Sequence, residues 1–336
     1  MLHNARVLDA DWVPNDVIHR NAEKNRLRNA LQPVLDGAQP QDVLVEGPSG
    51  AGKTCLARYT TAKLEEQALN VQTQYIDCWN HSNRYRVLLD LLEGIGPTHD
   101  IHRNTPQDEM LSRLERIDDP YVVILDEADQ LADKDLLREL WSIPQLTVIL
   151  IANREEDILN ALDERVRSRL RSAMRVRFDQ YHHDELVAIL QARAEAALTP
   201  EAIDGPQLDQ LADAAAGNAR DAITFLRQAA QEAEWDGREA ITSEHIRTAI
   251  PAARDNLRQR SLDKLSEDQR LIYDVLLEHG SLMPKEIHDR YTTRVENPKT
   301  KRTVRKYLRK LEHYNLVDVE WDRGSKRYHL VGVAGV

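Results

Sequence analysis

Apolar residues recur at Leu27, Ala30, Leu31 and Val34, the spacing of one helical face, and predict an amphipathic helix over 20–36. The period then changes. A short apolar run at 42–46 and strand-like runs at 71–78, 121–126 and 147–153 read as strands, and 174–178 supplies a fifth. Helical patterns separate them, at 54–68 and 84–93 for example. This alternation predicts an α/β domain with a parallel sheet. After Phe178 the strand signals stop. Segments 183–197, 207–215, 219–235 and 242–250 read as helices, punctuated by Gly205-Pro206, Gly217-Asn218 and Asp236-Gly237. Residues 251–264 are polar and Arg-rich and read as a linker. Ser266-Glu267-Asp268-Gln269 is a capping-box pattern opening a helix to His279. Two more helices, 284–291 and about 300–314, precede strands at 316–320 and 328–331 joined by the turn Asp322-Arg323-Gly324-Ser325. Three helices and a basic hairpin predict a winged helix.

With 336 residues the chain is long enough for two or three domains. No apolar run approaches the roughly 20 residues that cross a bilayer, and 1–12 lacks a signal-peptide core. The expectation is a soluble cytoplasmic protein with no membrane partner. Two cysteines, Cys55 and Cys78, are too few for a disulfide framework or a thiolate zinc site.

The net charge of −11 argues against nucleic acid, until its distribution is read. Residues 260–336 carry 16 basic and 12 acidic side chains, whereas 1–259 carry 29 and 44. An acidic body with a basic end is the pattern of a DNA-facing terminus. Arginine outnumbers lysine, 34 to 11, as an acidic protein of a salt-rich cytoplasm or a GC-rich genome would have it.

Gly47-Pro48-Ser49-Gly50-Ala51-Gly52-Lys53-Thr54 fits GxxxxGK[ST] between a predicted strand and a predicted helix. Such a loop curls so that successive N–H groups, through Cys55, face phosphate oxygens of ATP or ADP. Lys53 reaches the β- and γ-phosphates and Thr54 offers its hydroxyl to Mg²⁺. The strand 121–126 ends in Asp126-Glu127, with Asp126 placed to hold Mg²⁺ and Glu127 to orient or deprotonate water. Asn153, at the tip of another strand, offers an amide to the same water.

Together these motifs resemble the AAA+ ATPases, and more narrowly the archaeal origin-recognition/cell-division-cycle replication initiators, over about 13–330. Trp12-Val13-Pro14 and His19-Arg20 are similar to the family segment that lies against adenine, and Asp77-Cys78 to its polar-Cys signature. The resemblance implies an ATPase of slow, switch-like turnover, with Asn153 as sensor 1. Arg169, after Ser168, matches the arginine finger, which would imply self-association; Arg165, Arg167 and Arg171 are nearby alternatives. Tyr181 and Arg193 match nucleotide-contacting lid residues, and Arg220 in Gly217-Asn218-Ala219-Arg220 matches sensor 2. The implied domains are an AAA+ α/β domain at 1–180, a helical lid at 181–255 and a winged helix at 256–336. The segment between Cys78 and Tyr121 is short for the family and carries little positive charge, which leaves open whether the ATPase domain itself contacts DNA.

Residues 299–310 hold seven basic side chains and no acidic one. Val304, Tyr307, Leu308 and Leu311 share one helical face, and Arg302, Arg305, Lys306, Arg309 and Lys310 the opposite arc. With Lys301 this arc could enter a groove of double-stranded DNA, and Arg323, Lys326 and Arg327 of the hairpin would add a wing contact. A solvated face or a protein-docking face is the competing reading. The resemblance implies origin binding, nucleoid association and recruitment of the replicative helicase. A clamp-loader-like helper ATPase and an ATP-responsive transcription regulator are the alternatives.

Overall fold

The computed structural model describes residues 1–38, 40–159, 162–322 and 324–331. Its contacts divide the chain into two compact units, Met1–Ile246 and Arg247–Val336. In the first unit α1 (Asn21–Leu35), β1 (Val43–Glu46), α2 (Lys53–Gln67), β2 (Gln72–Asp77), α3 (Arg84–Glu93) and α4 (Gln107–Leu114) lead to β3 (Tyr121–Asp126). Then follow α5 (Asp135–Leu140), β4 (Leu146–Ala152), α6 (Glu155–Leu159), α7 (Glu164–Ser172) and β5 (Met174–Arg177). The five strands form one parallel sheet in the order β2-β3-β4-β1-β5.

The alternation of side chains along each strand explains why the central strands β1, β3 and β4 read as apolar runs while the edge strands β2 and β5 do not. Leu44, Val123, Leu125, Val148 and Leu150 face one layer of helices, including α3, α4, α5 and α7. Val43, Val45, Val122, Ile124, Ile149 and Ile151 face the other, which holds α1 and α2. Both sheet faces are therefore buried, as a parallel sheet requires. The sheet carries the AAA+ arrangement. No single helix fills 128–140, because a 3-10 turn at Ala128–Gln130 precedes α5. Lys134 donates to the carbonyls of Ala128 and Asp129 at 2.7 and 2.6 Å and fixes that turn outside the helix.

After the sheet come α8 (His183–Ala197), α9 (Gly205–Ala215) and α10 (Ala219–Trp235), the helical lid. Asn218 caps α10 by accepting from the Asp221 N–H, and Pro206 lies in the first turn of α9. Residues 1–12 pack on these helices. Leu2 bridges Leu198, the His3 N–H donates to the Ala197 carbonyl, and Asp9 pairs with Arg227.

The linker expected at 251–264 is instead helical: α11 runs Ser243–Asp263 with Pro251 inside it. Proline's fixed φ is itself helical, and the segment after it is rich in Ala, Arg, Leu and Gln, which favour helix enough to tolerate the lost hydrogen bond. The second unit continues with α12 (Glu267–His279), α13 (Pro284–Thr292), α14 (Lys301–His313) and the antiparallel pair β6 (Val317–Asp322) and β7 (Ser325–Leu330). Leu282 bridges Tyr328 as a third, one-residue strand. Val304, Leu308 and Leu311 of α14 are buried with Ile272, Ile287 and Tyr291 in a separate core. The arrangement is a winged helix.

Candidate functional site

Sheet register brings the site together. Glu46 is level with Ala152 and Asp77 with Asp126, so the chain leaves β1, β4 and β3 along one carboxyl-terminal edge. Gly47 begins the phosphate loop there and Gly52 ends it at the start of α2. The N–H groups of Lys53, Thr54 and Cys55 lie in the first helical turn, where no intrahelical acceptor exists, and they make an anion site.

Lys53 is 7% exposed. Its ammonium donates to the Gly47 and Pro48 carbonyls at 2.6 and 2.8 Å and to Asn153 Oδ1 at 3.0 Å. Burial pushes the amine down to about 8, with Glu127 and Asp126 acting in the opposite direction and Arg220 adding to the fall. The loop thus folds around its own cation.

Thr54 Oγ1 donates to Asp126 Oδ2 at 2.7 Å, and the Glu127 N–H to Asp126 Oδ1 at 3.0 Å. A hydroxyl and a carboxylate oxygen at the mouth of an anion site are the hard oxygen donors that Mg²⁺ takes beside phosphate, so these residues fit that ion. Glu127 has a left-handed backbone, φ 51°, which turns the chain sharply at the strand end. Burial and then the Asp126 and Asp129 carboxylates push its own carboxyl up to about 8, against Lys53 and Arg220. A carboxyl raised in this way can hold or release a proton near neutral pH.

The lid meets the loop at two places. The Ala219 N–H donates to the Gly50 carbonyl at 3.1 Å, and a Cβ at Gly50 would lie 1.8 Å from Asn218 Oδ1. A Cβ at Gly52 would lie 2.4 Å from the Tyr181 hydroxyl. Arg220, exposed on α10, has its charge felt at both Lys53 and Glu127. The lid therefore carries Tyr181 and Arg220 to the phosphate loop.

Two predicted contacts engage other partners. Arg20 lies 4.0 Å from the centre of the Tyr181 ring and donates to the Asp179 carbonyl at 2.5 Å. Arg193 donates to the Val7 and Trp12 carbonyls at 2.7 and 3.2 Å, with its guanidinium 4.4 Å from the Trp12 ring centre. Arg193 thereby ties the N-terminal segment to α8. Its charge still reaches the Cys55 thiol, which burial pushes up.

Arg169 stands apart. Its Nε is 3.5 Å from Asp42 Oδ2, just before β1, at the opposite end of that strand from the loop. It is 42% exposed and cannot reach the phosphate site of its own chain. Arg167 is tied to the Leu159 carbonyl and Arg171 to Glu164.

In the second unit α14 separates its faces as expected, except that Lys310 is half-buried with its ammonium 5.6 Å from the centre of the Tyr314 ring. Lys301, Arg302, Arg305, Lys306 and Arg309 are exposed, opposite the buried Val304, Leu308 and Leu311. Thr300 caps the helix by accepting from the Thr303 N–H at 3.3 Å. Lys326 is exposed and sits 5.4 Å from the centre of the Trp321 ring. Arg327 donates to the Ser281 carbonyl at 3.0 Å, and Arg323 lies outside the described residues.

The sequence reading missed Tyr75, whose hydroxyl donates to Asp126 Oδ2 at 3.0 Å. The signal was available only from pairing: β2 beside β3 in parallel register puts Tyr75 diagonally across from Asp126 on one face.

Comparison with known families and proteins agrees with this geometry. Residues 38–159 match the model of an AAA domain, and 187–251 that of the Cdc6 AAA+ ATPase-type lid domain. The chain is 46% identical to the ORC1-type DNA replication protein 9 of Halobacterium salinarum, over 98% of this chain and 94% of that protein. It is 43% identical to protein 1 of the same series and organism, over 91% and 100%. Among solved structures it resembles the Aeropyrum pernix ORC1 protein in complex with DNA, at 28% identity and a TM-score of 0.79, covering 98% of this chain and 93% of that one.

Proposed function

Since the chain belongs to the ORC1-type DNA replication proteins, AAA+ ATPases with a Cdc6-type lid, we propose that it recognises replication origins in duplex DNA under ATP control and helps recruit the replicative helicase. The observation that carries the DNA half of this reading is α14, whose exposed basic arc stands opposite a buried apolar seam. Such a helix can anchor in its own domain and still enter a groove. Arg302 and Arg305 can pair with guanine edges, while Lys301, Lys306 and Arg309 neutralise phosphates, with Lys326 beside them on the wing. The working division is 1–180 for the ATPase domain, 181–255 for the lid and 256–336 for the winged helix. As a nucleoid-associated cytoplasmic protein it would meet both partners.

The ATP half rests on the phosphate loop. Lys53 exchanges its hold on the Gly47 and Pro48 carbonyls for β- and γ-phosphate oxygens. Thr54 and Asp126 would hold Mg²⁺, which when bound would offset charge on the β- and γ-phosphates. Asn153 and Glu127 position water, and Glu127 takes its proton. Tyr181 and Arg193 line the nucleoside end, the latter through its grip on Trp12. Arg220 enters from the lid, so its angle follows the presence of the γ-phosphate. A site with one sensor on the sheet and another on a mobile lid suits slow, switch-like turnover.

Arg169 would complete a neighbouring protomer's site. Mixing Arg169→Ala protein with Lys53→Ala protein should then recover a part of the hydrolysis that each lacks alone, measured as phosphate release under assembling conditions. No recovery at any mixing ratio would rule out a shared site.

The central test is capture of sheared genomic DNA by the ATP-bound protein, followed by sequencing. Sharp peaks at repeated elements where replication starts are expected. Enrichment spread over promoters would identify a transcription regulator. Uniform recovery that persists at higher salt would move the assignment to a helper ATPase acting on proteins.

A further inference from the structure

Asp126 Oδ2 accepts two hydrogen bonds, from Thr54 Oγ1 at 2.7 Å and from the Tyr75 hydroxyl at 3.0 Å, while Oδ1 accepts the Glu127 N–H at 3.0 Å. Three donors from three elements fix rotation of this carboxylate about its Cβ–Cγ bond. Of the three, Tyr75 alone lies outside both the phosphate loop and the acidic strand end. Its ring spans the diagonal from β2 to β3, two residues along from its direct partner Ile124. The Arg58 guanidinium stands 5.3 Å from the ring centre, and Arg58 belongs to α2, the same helix as Thr54. Arg58 also donates to the Asp11 carbonyl at 3.3 Å.

We propose that Tyr75 is a positioning residue for the magnesium site: by holding Asp126 Oδ2 from the side, it keeps that oxygen and the Thr54 hydroxyl aimed together at the cation. The proposal rests on the assignment of Thr54 and Asp126 to Mg²⁺. Groups that orient a metal ligand typically contribute about 10–100-fold to metal affinity. Tyr75 aligns a carboxylate that already has two other donors, so the low end of that range applies.

The test is a magnesium titration of binding of a fluorescent ADP analogue to the full chain, for the unaltered protein, Tyr75→Phe and Asp126→Asn, repeated with chelator. Phenylalanine keeps the ring against Arg58 and removes only the hydroxyl. Tyr75→Phe should need about tenfold more Mg²⁺ for half-saturation. Its affinity for the analogue in chelator should stay within about twofold, and Asp126→Asn should shift the magnesium midpoint further. If Tyr75→Phe superimposes on the unaltered protein while Asp126→Asn shifts, Tyr75 does not position the site. If Tyr75→Phe loses affinity equally with and without Mg²⁺, its role is structural and the proposal fails. If Asp126→Asn also leaves the midpoint unmoved, the magnesium assignment falls and this proposal with it.

Discussion

Lys53→Ala should weaken ATP binding by about 10²–10³-fold with little loss of fold stability. The ammonium is buried and held by the Gly47 and Pro48 carbonyls and by Asn153, aimed where phosphate oxygens would sit. Charge-assisted bonds contribute about 1.5–3 kcal/mol each, so losing two costs about 3–4 kcal/mol, after the gain from not desolvating a cation is set against them. Alanine removes the buried cation, and the Glu127 carboxyl, no longer opposed by Lys53, is pushed further toward its neutral form, which limits the cost to the fold. Calorimetric titration with ATP and Mg²⁺ measures the loss, and a melting curve checks the fold. An affinity within threefold of the unaltered protein would show that the loop does not grip phosphate through this lysine.

The second large effect belongs to α14. Arg302, Arg305, Lys306 and Arg309 replaced together by alanine should lower DNA affinity by about 10³-fold at 0.1 M salt. Each phosphate contact contributes a slope of about −0.9 in log K against log salt. Losing the Lys306 and Arg309 phosphate contacts should therefore flatten the slope by about 2, and this part of the affinity loss should shrink as salt rises, while the lost Arg302 and Arg305 base contacts add a part that salt changes little. The buried seam of Val304, Leu308 and Leu311 is untouched, so the domain should melt as before. Anisotropy titrations with duplex DNA across a salt series give both numbers. An unchanged slope would mean that the basic arc is solvated surface or faces a protein.

Much of this was legible in the residues. The buried strands betrayed themselves because a parallel sheet covered on both faces makes runs such as 121–125 apolar at every position. α3, α8 and α10 run over the spans read from the sequence, and the structure shows Asn83, Glu185 and Asn218 capping them. The phosphate loop was readable because its chemistry sits in eight consecutive residues. What escaped were short helices such as α4 and α6, each of one or two turns with too few apolar positions to show a period. The second half of α11 escaped for a different reason: Pro251 and the polar stretch after it look like a break, yet helix propensity carried the chain through. Tyr75 was invisible because its role depends on which strand lies next to which, and local sequence holds no record of that. The same holds for Arg193, whose grip on Val7 and Trp12 spans most of the first unit.

That grip has a consequence for how the protein is made. Val7 accepts a hydrogen bond from a residue 186 positions later, and Asn218 comes to the phosphate loop from a similar distance along the chain. At synthesis rates of about 5–20 residues per second, the segment holding Val7 and Leu8 waits about 10–40 s for Arg193 and α8. During that interval two side chains that end up buried are exposed, and the phosphate loop lacks the neighbours that shape it. The nascent ATPase is therefore a vulnerable intermediate until the lid has been translated, and slowing the ribosome between β5 and α10 should lower the yield of active protein.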